Sequence, residues 1–267
     1  LDYYNNVLNK MKDILDKNKN SVILSYLYLL SILHAEMHIE SFLFTSKLLG
    51  YKNIFLKNIE YKPEEYHLNF IKIDGGKFEQ GNKEGDNLIA FDNEMPSFFK
   101  KVDDFYISDI TITQGIFLKF IEIGGYQNEK FWDKNGWNWK KKNNITSPMY
   151  WEKIKNNWKI RNFDKYDSIK IDYPICHINW YEAKAVAKWL GGRLPTESEW
   201  EYVCTNGGVN KFPWGDEMIK ENANLDYNKL ENVNSFEQGN NKDGIKQLIG
   251  NVWEWCEEPI YPYDGFK

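Results

Sequence analysis

Two of the four histidines in this chain, His34 and His38, lie four residues apart in the stretch Leu33-His34-Ala35-Glu36-Met37-His38-Ile39-Glu40. On a helix that spacing puts both imidazoles on one face, with Cβ atoms about 5–6 Å apart. The pair can offer two nitrogens to a single metal ion. Neutral imidazoles ligate several divalent metals, and a partial set of protein ligands leaves coordination positions open for other molecules. Two donors do not complete a site, and in an arbitrary helix the plain reading is a pair of solvated or core histidines. A zinc peptidase would place glutamate directly after the first histidine, so that a general base lies beside the metal. Here that position is Ala35, and Glu36 is turned by about 200° from His34 around the helix. The peptidase reading is rejected.

Two helices must position the pair. Tyr4, Val7, Leu8, Met11, Ile14 and Leu15 recur at helical spacing over residues 3–16, followed by a polar break at residues 17–20. Ser21 can cap a second helix that runs to about Leu49 and closes on Gly50. Apolar faces this broad cannot be buried by two helices alone, so further helices or a second domain are needed. The chain opens at Leu1 inside a helical pattern and stops at Lys267 without a terminating element, which reads as a piece of a longer protein.

Composition narrows the classes. A length of 267 residues allows one large domain or two, and 42% hydrophobic content is ordinary for a globular protein. A net charge of −5 without a basic stripe excludes nucleic acid as the expected partner. The longest apolar stretch, Val22 to Leu33, contains Ser25 and Ser31 and is read as too short to span a bilayer. No membrane partner and no secretion signal are expected. Cys176, Cys204 and Cys256 are an odd number at wide spacing, which is neither a disulfide framework nor a zinc pattern. A cytoplasmic location is the default.

Beyond a connecting segment at 51–66 the texture changes. Short strands are expected at Asn69 to Ile73, at 77–79 after the Asp74-Gly75-Gly76 turn, and at Asp104 to Ile110. Thr113 should cap a helix that ends at Gly124-Gly125. Asn179 with Glu182, and Thr196 with Glu199 after Pro195, are capping boxes that open two more helices. Residues 132–173 and 212–267 read as loop-rich. The fold class is therefore α+β, a helical portion followed by an irregular second domain.

Tyr173-Pro174-Ile175-Cys176-His177-Ile178-Asn179-Trp180-Tyr181-Glu182-Ala183, Gly192-Arg193-Leu194-Pro195-Thr196-Glu197, Phe212-Pro213-Trp214-Gly215 and Gly250-Asn251-Val252-Trp253-Glu254-Trp255 together resemble the formylglycine-generating-enzyme (sulfatase-modifying factor) domain. The resemblance covers roughly residues 70–267 and implies a C-type-lectin-like fold. Phe91-Asp92-Asn93-Glu94, Gly124-Gly125-Tyr126, Trp132, Gly136-Trp137-Asn138-Trp139 and Pro148-Met149-Tyr150-Trp151 resemble, more narrowly, the iron-dependent sulfoxide synthases of ergothioneine-type biosynthesis. Residues 1–50 look like the end of the DinB-like helical bundle of those enzymes, and Met37-His38-Ile39-Glu40 with Leu49-Gly50-Tyr51 also resembles selenoneine synthases.

That resemblance implies domains at 1–50 (end of the bundle), 51–66 (linker) and 67–267 (formylglycine-generating-enzyme-like). It implies iron(II) (Fe2+) as cofactor, held by His34, His38 and a third histidine from an earlier helix. Met37 stands where the best-known members place a glutamine facing the imidazole substrate, so it is the expected substrate contact. The catalytic residue, a tyrosine, is expected beyond Lys267. The activity implied joins a cysteine-type thiol, or a selenium donor, to the imidazole of a histidine betaine such as hercynine, with dioxygen. The alternatives are a formylglycine-generating-type protein-modifying oxidase, which would need a close cysteine pair, and a non-catalytic lectin-like binding module. Asn251 with nearby carbonyl oxygens is the candidate seat of a structural calcium (Ca2+). His177 is expected to make a structural hydrogen bond, His67 to lie on the surface, and the three cysteines to be inert. Trp180, Trp189, Trp200 and the Trp253-Glu254-Trp255 cluster are expected in the core. Trp132, Trp137 and Trp139 either line a substrate entrance or cover the helices.

Overall fold

The computed structural model describes residues 1–53, 61–83, 90–225 and 229–266. The chain divides into two compact units, one of Leu1–Tyr51, Gly81–Ser97 and Pro262–Lys267, the other of Lys52–Gln80 and Phe98–Tyr261.

The first unit is led by helices α1 (Asp2–Lys17) and α2 (Val22–Leu49). Both follow their sequence signals. The Ser21 hydroxyl accepts from the Leu24 amide, and Gly50 takes the left-handed conformation (φ 70°) that only a residue without Cβ adopts cheaply. The Tyr28 hydroxyl donates to the Met11 carbonyl at 2.8 Å and ties the helices together. No residue of either helix is buried. Apolar residues occupy every face of α2, from Leu27 through Ile32, Met37 and Phe42 to Leu48, and all five are exposed. A helix of that kind is one that another apolar medium should surround.

One expectation is corrected here. The apolar stretch does not stop at Leu33. The helix runs on through Glu36 and Glu40 for 28 residues, about 42 Å. By length and composition it is sufficient to cross a membrane. Ser25 and Ser31 do not interrupt it, because Ser31 returns its hydroxyl to the Tyr28 carbonyl within the helix.

The second unit mixes short helices and small antiparallel sheets, as the α+β reading requires. Strand β1 (Phe70–Ile73) and β2 (Gly76–Gln80) do not pair with each other. Instead β2 pairs with β3 (Phe98–Val102), and β1 pairs with β4 (Phe105–Ser108), each antiparallel. Helix α3 (Gln114–Glu122) starts at Thr113, whose hydroxyl accepts from the Ile116 amide. Helices α5 (Trp180–Trp189) and α6 (Glu197–Cys204) open on the two capping boxes, both complete.

Residues 132–173 are more regular than expected. Helix α4 (Lys134–Lys142) begins at Asp133, which accepts from the Gly136 amide at 2.6 Å. Strands β5 (Trp151–Ile154), β6 (Asn157–Asn162) and β7 (Lys165–Ser168) form a three-stranded meander. Its two-residue hairpins place Lys155 (φ 49°), Asn156 (φ 67°) and Phe163 (φ 59°) at positive φ. Tight hairpins need that geometry and usually signal it with glycine. Lysine and phenylalanine gave no such signal.

Two cores hold the second unit. Phe117 and Phe120 of α3, Tyr126, Trp132, Trp151, and Val186 of α5 pack into the larger one. Ile73, Val203, Ile245 and Leu248 form the smaller. The tryptophan expectation is partly overturned. Trp253 is 88% exposed and Trp255 49%, while Trp132 and Trp151 are buried at 4% each. Trp189 and Trp200 flank the two cores. The Trp255 Nε1–H donates to the Ile178 carbonyl at 3.0 Å while its ring stays half exposed. Trp132 meets neither alternative given for the loop tryptophans: it lies in the larger core with Nε1–H on the Gly125 carbonyl at 2.9 Å, and Trp137 and Trp139 pack partly buried against that core.

Candidate functional site

Helix α2 carries His34 and His38 as stacked rings, 4.7 Å between centroids and 19° from parallel. Phe42, one turn further, lies 6.4 Å from the His38 ring. Both imidazoles are exposed, as is Met37 at 58%. Side by side on one face, the two rings can turn their nitrogens toward a common ion, and as donors they match ferrous iron. No group of three or more histidine, cysteine or acidic side chains able to hold a metal exists among the described residues. The pair alone would be only part of a ligand set.

In the second unit, two buried carboxyls are committed to internal partners. Tyr126, fully buried, donates its hydroxyl to Glu182 Oε1 at 2.5 Å, while Glu182 Oε2 accepts from the Asn179 amide at 2.9 Å. Burial pushes the Glu182 carboxyl up, and those two donors only partly pull it back. Burial first and Glu182 second push the Tyr126 hydroxyl well above its usual range. The pair joins α5 to the Gly124-Gly125-Tyr126 turn. Arg193 grips Glu199 with two nitrogens (2.7 and 2.6 Å). That grip, with the Thr196 amide, holds the Glu199 carboxyl below its ordinary range against the opposing effect of burial.

The calcium expectation at Asn251 is not met by that side chain. Its Oδ1 accepts from Asn224 Nδ2 (2.9 Å) and the Glu231 amide (3.0 Å), and its Nδ2 donates to the Glu231 carbonyl and to Gln247 Oε1. Both lone pairs of the oxygen are used. Gly250 (φ 79°) and Asn251 (φ 62°) make two successive left-handed residues, and a Cβ on Gly250 would sit 2.4 Å from the Asn224 carbonyl oxygen. Asn251 is the centre of a turn, and its side chain is hydrogen-bonded within the chain. The acid in the same motif is Glu254, whose Oε2 accepts from Trp200 Nε1–H at 2.9 Å. Although the residue as a whole is exposed, its carboxyl end is desolvated and pushed up to about 7. Sequence reasoning passed over Glu254 as part of an apolar cluster.

The remaining candidates fall out simply. His177 (φ 58°) sets its ring edge-on to Tyr150, 5.1 Å between centroids, with the Arg161 guanidinium 4.9 Å from the Tyr150 ring centroid. His67 is exposed, its Nε2 3.5 Å from Glu65. None of the three cysteines is in a disulfide. Burial, aided by the nearby Glu254 carboxylate, pushes the Cys204 and Cys256 thiols up to about 12, so neither is a thiolate at neutral pH.

Comparison with known proteins defines the class. Residues 57–265 match the model of the sulfatase-modifying factor enzyme 1-like domain. The chain belongs to this family, the one that contains the formylglycine-generating enzymes. It is 34% identical over 197 residues to the hercynine oxygenase of Mycobacterium tuberculosis, covering 71% of this chain and 46% of the relative. To the formylglycine-generating enzyme of Bos taurus it is 30% identical over 217 residues, covering 70% and 57%. The chain thus spans about half the length of the hercynine oxygenases it matches. PvdO from Pseudomonas aeruginosa shares the fold, with a TM-score of 0.50 at 21% identity over 73% of this chain and 72% of that one.

Proposed function

We propose that this chain is part of a non-haem iron(II), dioxygen-dependent sulfoxide synthase. It would join the sulfur of a cysteine-type thiol, or a selenium analogue, to the imidazole of a histidine betaine such as hercynine. One observation carries the reading: a histidine pair geometrically suited to one ion occurs in the same chain as a domain similar to named hercynine oxygenases. In the overall change one C–H and one S–H bond break, a C–S and an S–O bond form, and the second oxygen atom leaves as water. The four electrons removed from carbon and sulfur match the four dioxygen accepts.

Bound at His34 and His38, iron(II) would supply the site for thiol deprotonation and for dioxygen activation. The chain's own part is positional. Successive turns of one rigid helix hold the two imidazoles 4.7 Å apart. Met37, adjacent to His38, offers a thioether to the organic substrate where a hydrogen-bonding side chain would otherwise stand, so the substrate ring would meet an apolar contact.

On this reading α1 and α2 belong to a DinB-like bundle and the second unit has a C-type-lectin-like architecture. A bundle also accounts for α2 better than a bilayer does. His34, Glu36, His38 and Glu40 fall in the middle of the helix, where imidazole and carboxylate groups are costly in hydrocarbon. A cytoplasmic location and small-molecule partners, without nucleic acid or membrane, follow from the same reading. The similarity to formylglycine-generating enzymes favours an oxidase as second reading. The protonated state of Cys204 and Cys256 gives that chemistry no thiolate at either residue.

The test is direct. Full-length protein is mixed with iron(II), dioxygen, hercynine and a thiol, and the products are read by mass spectrometry. A carbon–sulfur sulfoxide is expected, and it should vanish in His34→Ala. No carbon–sulfur or carbon–selenium product with any thiol or selenol defeats the reading.

A further inference from the structure

Residues 61–66, on the sequence pattern a connecting segment, are laid down on the second unit and fastened at both ends. Tyr61 donates its hydroxyl to Asp172 Oδ1 at 2.8 Å, and the Glu64 amide donates to Asp172 Oδ2 at 2.9 Å. The Ile171 amide donates in turn to the Tyr61 hydroxyl at 2.8 Å. Further along, Asn234 Nδ2 donates to the Glu65 carbonyl at 3.0 Å, and Thr113 Oγ1 donates to the Tyr66 hydroxyl at 2.8 Å. A Cβ on Gly115 would stand 2.6 Å from that hydroxyl and 2.7 Å from the Ile171 carbonyl oxygen, so the missing side chain is what lets the segment lie against α3.

Asp172 is completely buried. A carboxylate withdrawn from water is costly unless it is hydrogen-bonded. Both of its oxygens are spent on residues 61 and 64, and its own main chain is held by the Val233 amide at 2.9 Å. The cost is sustained for the attachment of this one segment. We infer that residues 61–66 form a strap, and that Asp172 is a positioning residue that fixes this strap on the second unit. The strap stands on this geometry alone, whereas its consequence for turnover rests on the proposed function.

The experiment uses full-length protein and the variants Tyr61→Phe and Asp172→Asn, which keep side-chain volume. Hydrogen–deuterium exchange followed by mass spectrometry should show the peptide covering residues 61–66 exchanging about tenfold faster in both variants, as expected when about 1.4 kcal/mol of local protection is lost. Peptides from α5 should exchange at the wild-type rate. In the iron-loaded enzyme kcat should fall severalfold, with KM for both organic substrates within about twofold of wild type and iron content unchanged. Wild-type exchange at 61–66 in both variants overturns the strap, and so does equal acceleration in α5. Faster exchange at 61–66 with unchanged kcat overturns the positioning role. If wild-type protein forms no carbon–sulfur product, the proposed function falls while the exchange data still decide the strap.

Discussion

Replacing Tyr126 by phenylalanine removes one oxygen atom from the centre of the larger core. The ring stays packed against Phe120 and Trp132, with centroids 5.9 and 5.5 Å away, so the perturbation is nearly confined to the hydrogen bond. Glu182, 3% exposed, then keeps only the Asn179 amide, on Oε2, and Oε1 loses its donor. Hydrogen bonds to charged groups contribute about 1.5–3 kcal/mol, and an abandoned buried acceptor falls in the same range. A loss of about 2 kcal/mol corresponds to about 4–8 °C in the melting temperature of a protein of this size.

The deficit must also depend on pH, with a defined sign. The Glu182 carboxyl is raised by burial in the folded protein, so its ionisation opposes folding and stability is lost as pH rises through the folded value. The Tyr126 hydroxyl lowers that value, and the variant raises it further. The gap between variant and wild type should therefore be larger at pH 8 than at pH 5. Urea unfolding at the two pH values measures it. A deficit below about 0.5 kcal/mol, or one identical at pH 5 and pH 8, would refute the claim that this pair is a charge-assisted bond joining α5 to the Gly124-Gly125-Tyr126 turn.

Other outcomes are equally definite. Glu254, pushed up to about 7 from an ordinary 4.5, favours the protonated form in the folded state, so wild-type stability should decline between those values as pH rises, and Glu254→Gln should flatten that slope in thermal melts. Asn251→Ala removes four hydrogen bonds at a doubly left-handed turn and should cost about 3 kcal/mol in chemical denaturation; a near-neutral result would show that the turn does not depend on them. Anaerobic iron(II) titration of full-length protein should show binding weakened at least tenfold by either His34→Ala or His38→Ala. Unchanged binding in both variants would dissociate the pair from the metal.

Much of the local structure was legible from residue types because its causes are local. Ser21 and Gly50 bound α2, Thr113 starts α3, and Asn179 with Glu182 and Thr196 with Glu199 open α5 and α6, since a helix end depends on the few side chains beside it. Helix spacing alone likewise brings His34 and His38 together. The β5–β6–β7 meander was hidden because its turns use Lys155 and Phe163 at positive φ, positions that the surrounding packing enforces against local preference.

The placement of the polar groups could not be read in advance. Asp172 reaches Tyr61 across 111 residues, Tyr126 reaches Glu182 across 56, and Asn251 closes on Asn224 across 27. Nothing in the sequence near Asp172 marks it as buried, and nothing in Trp253-Glu254-Trp255 marks those rings as outward-facing. The chain by itself determined the capped helices, the family resemblance and the paired imidazoles, because each follows from neighbours along the backbone. Which carboxylates lose their water, and which tryptophans keep theirs, was decided only when distant segments closed over them, since desolvation belongs to the assembled surroundings of a group rather than to its position in the chain.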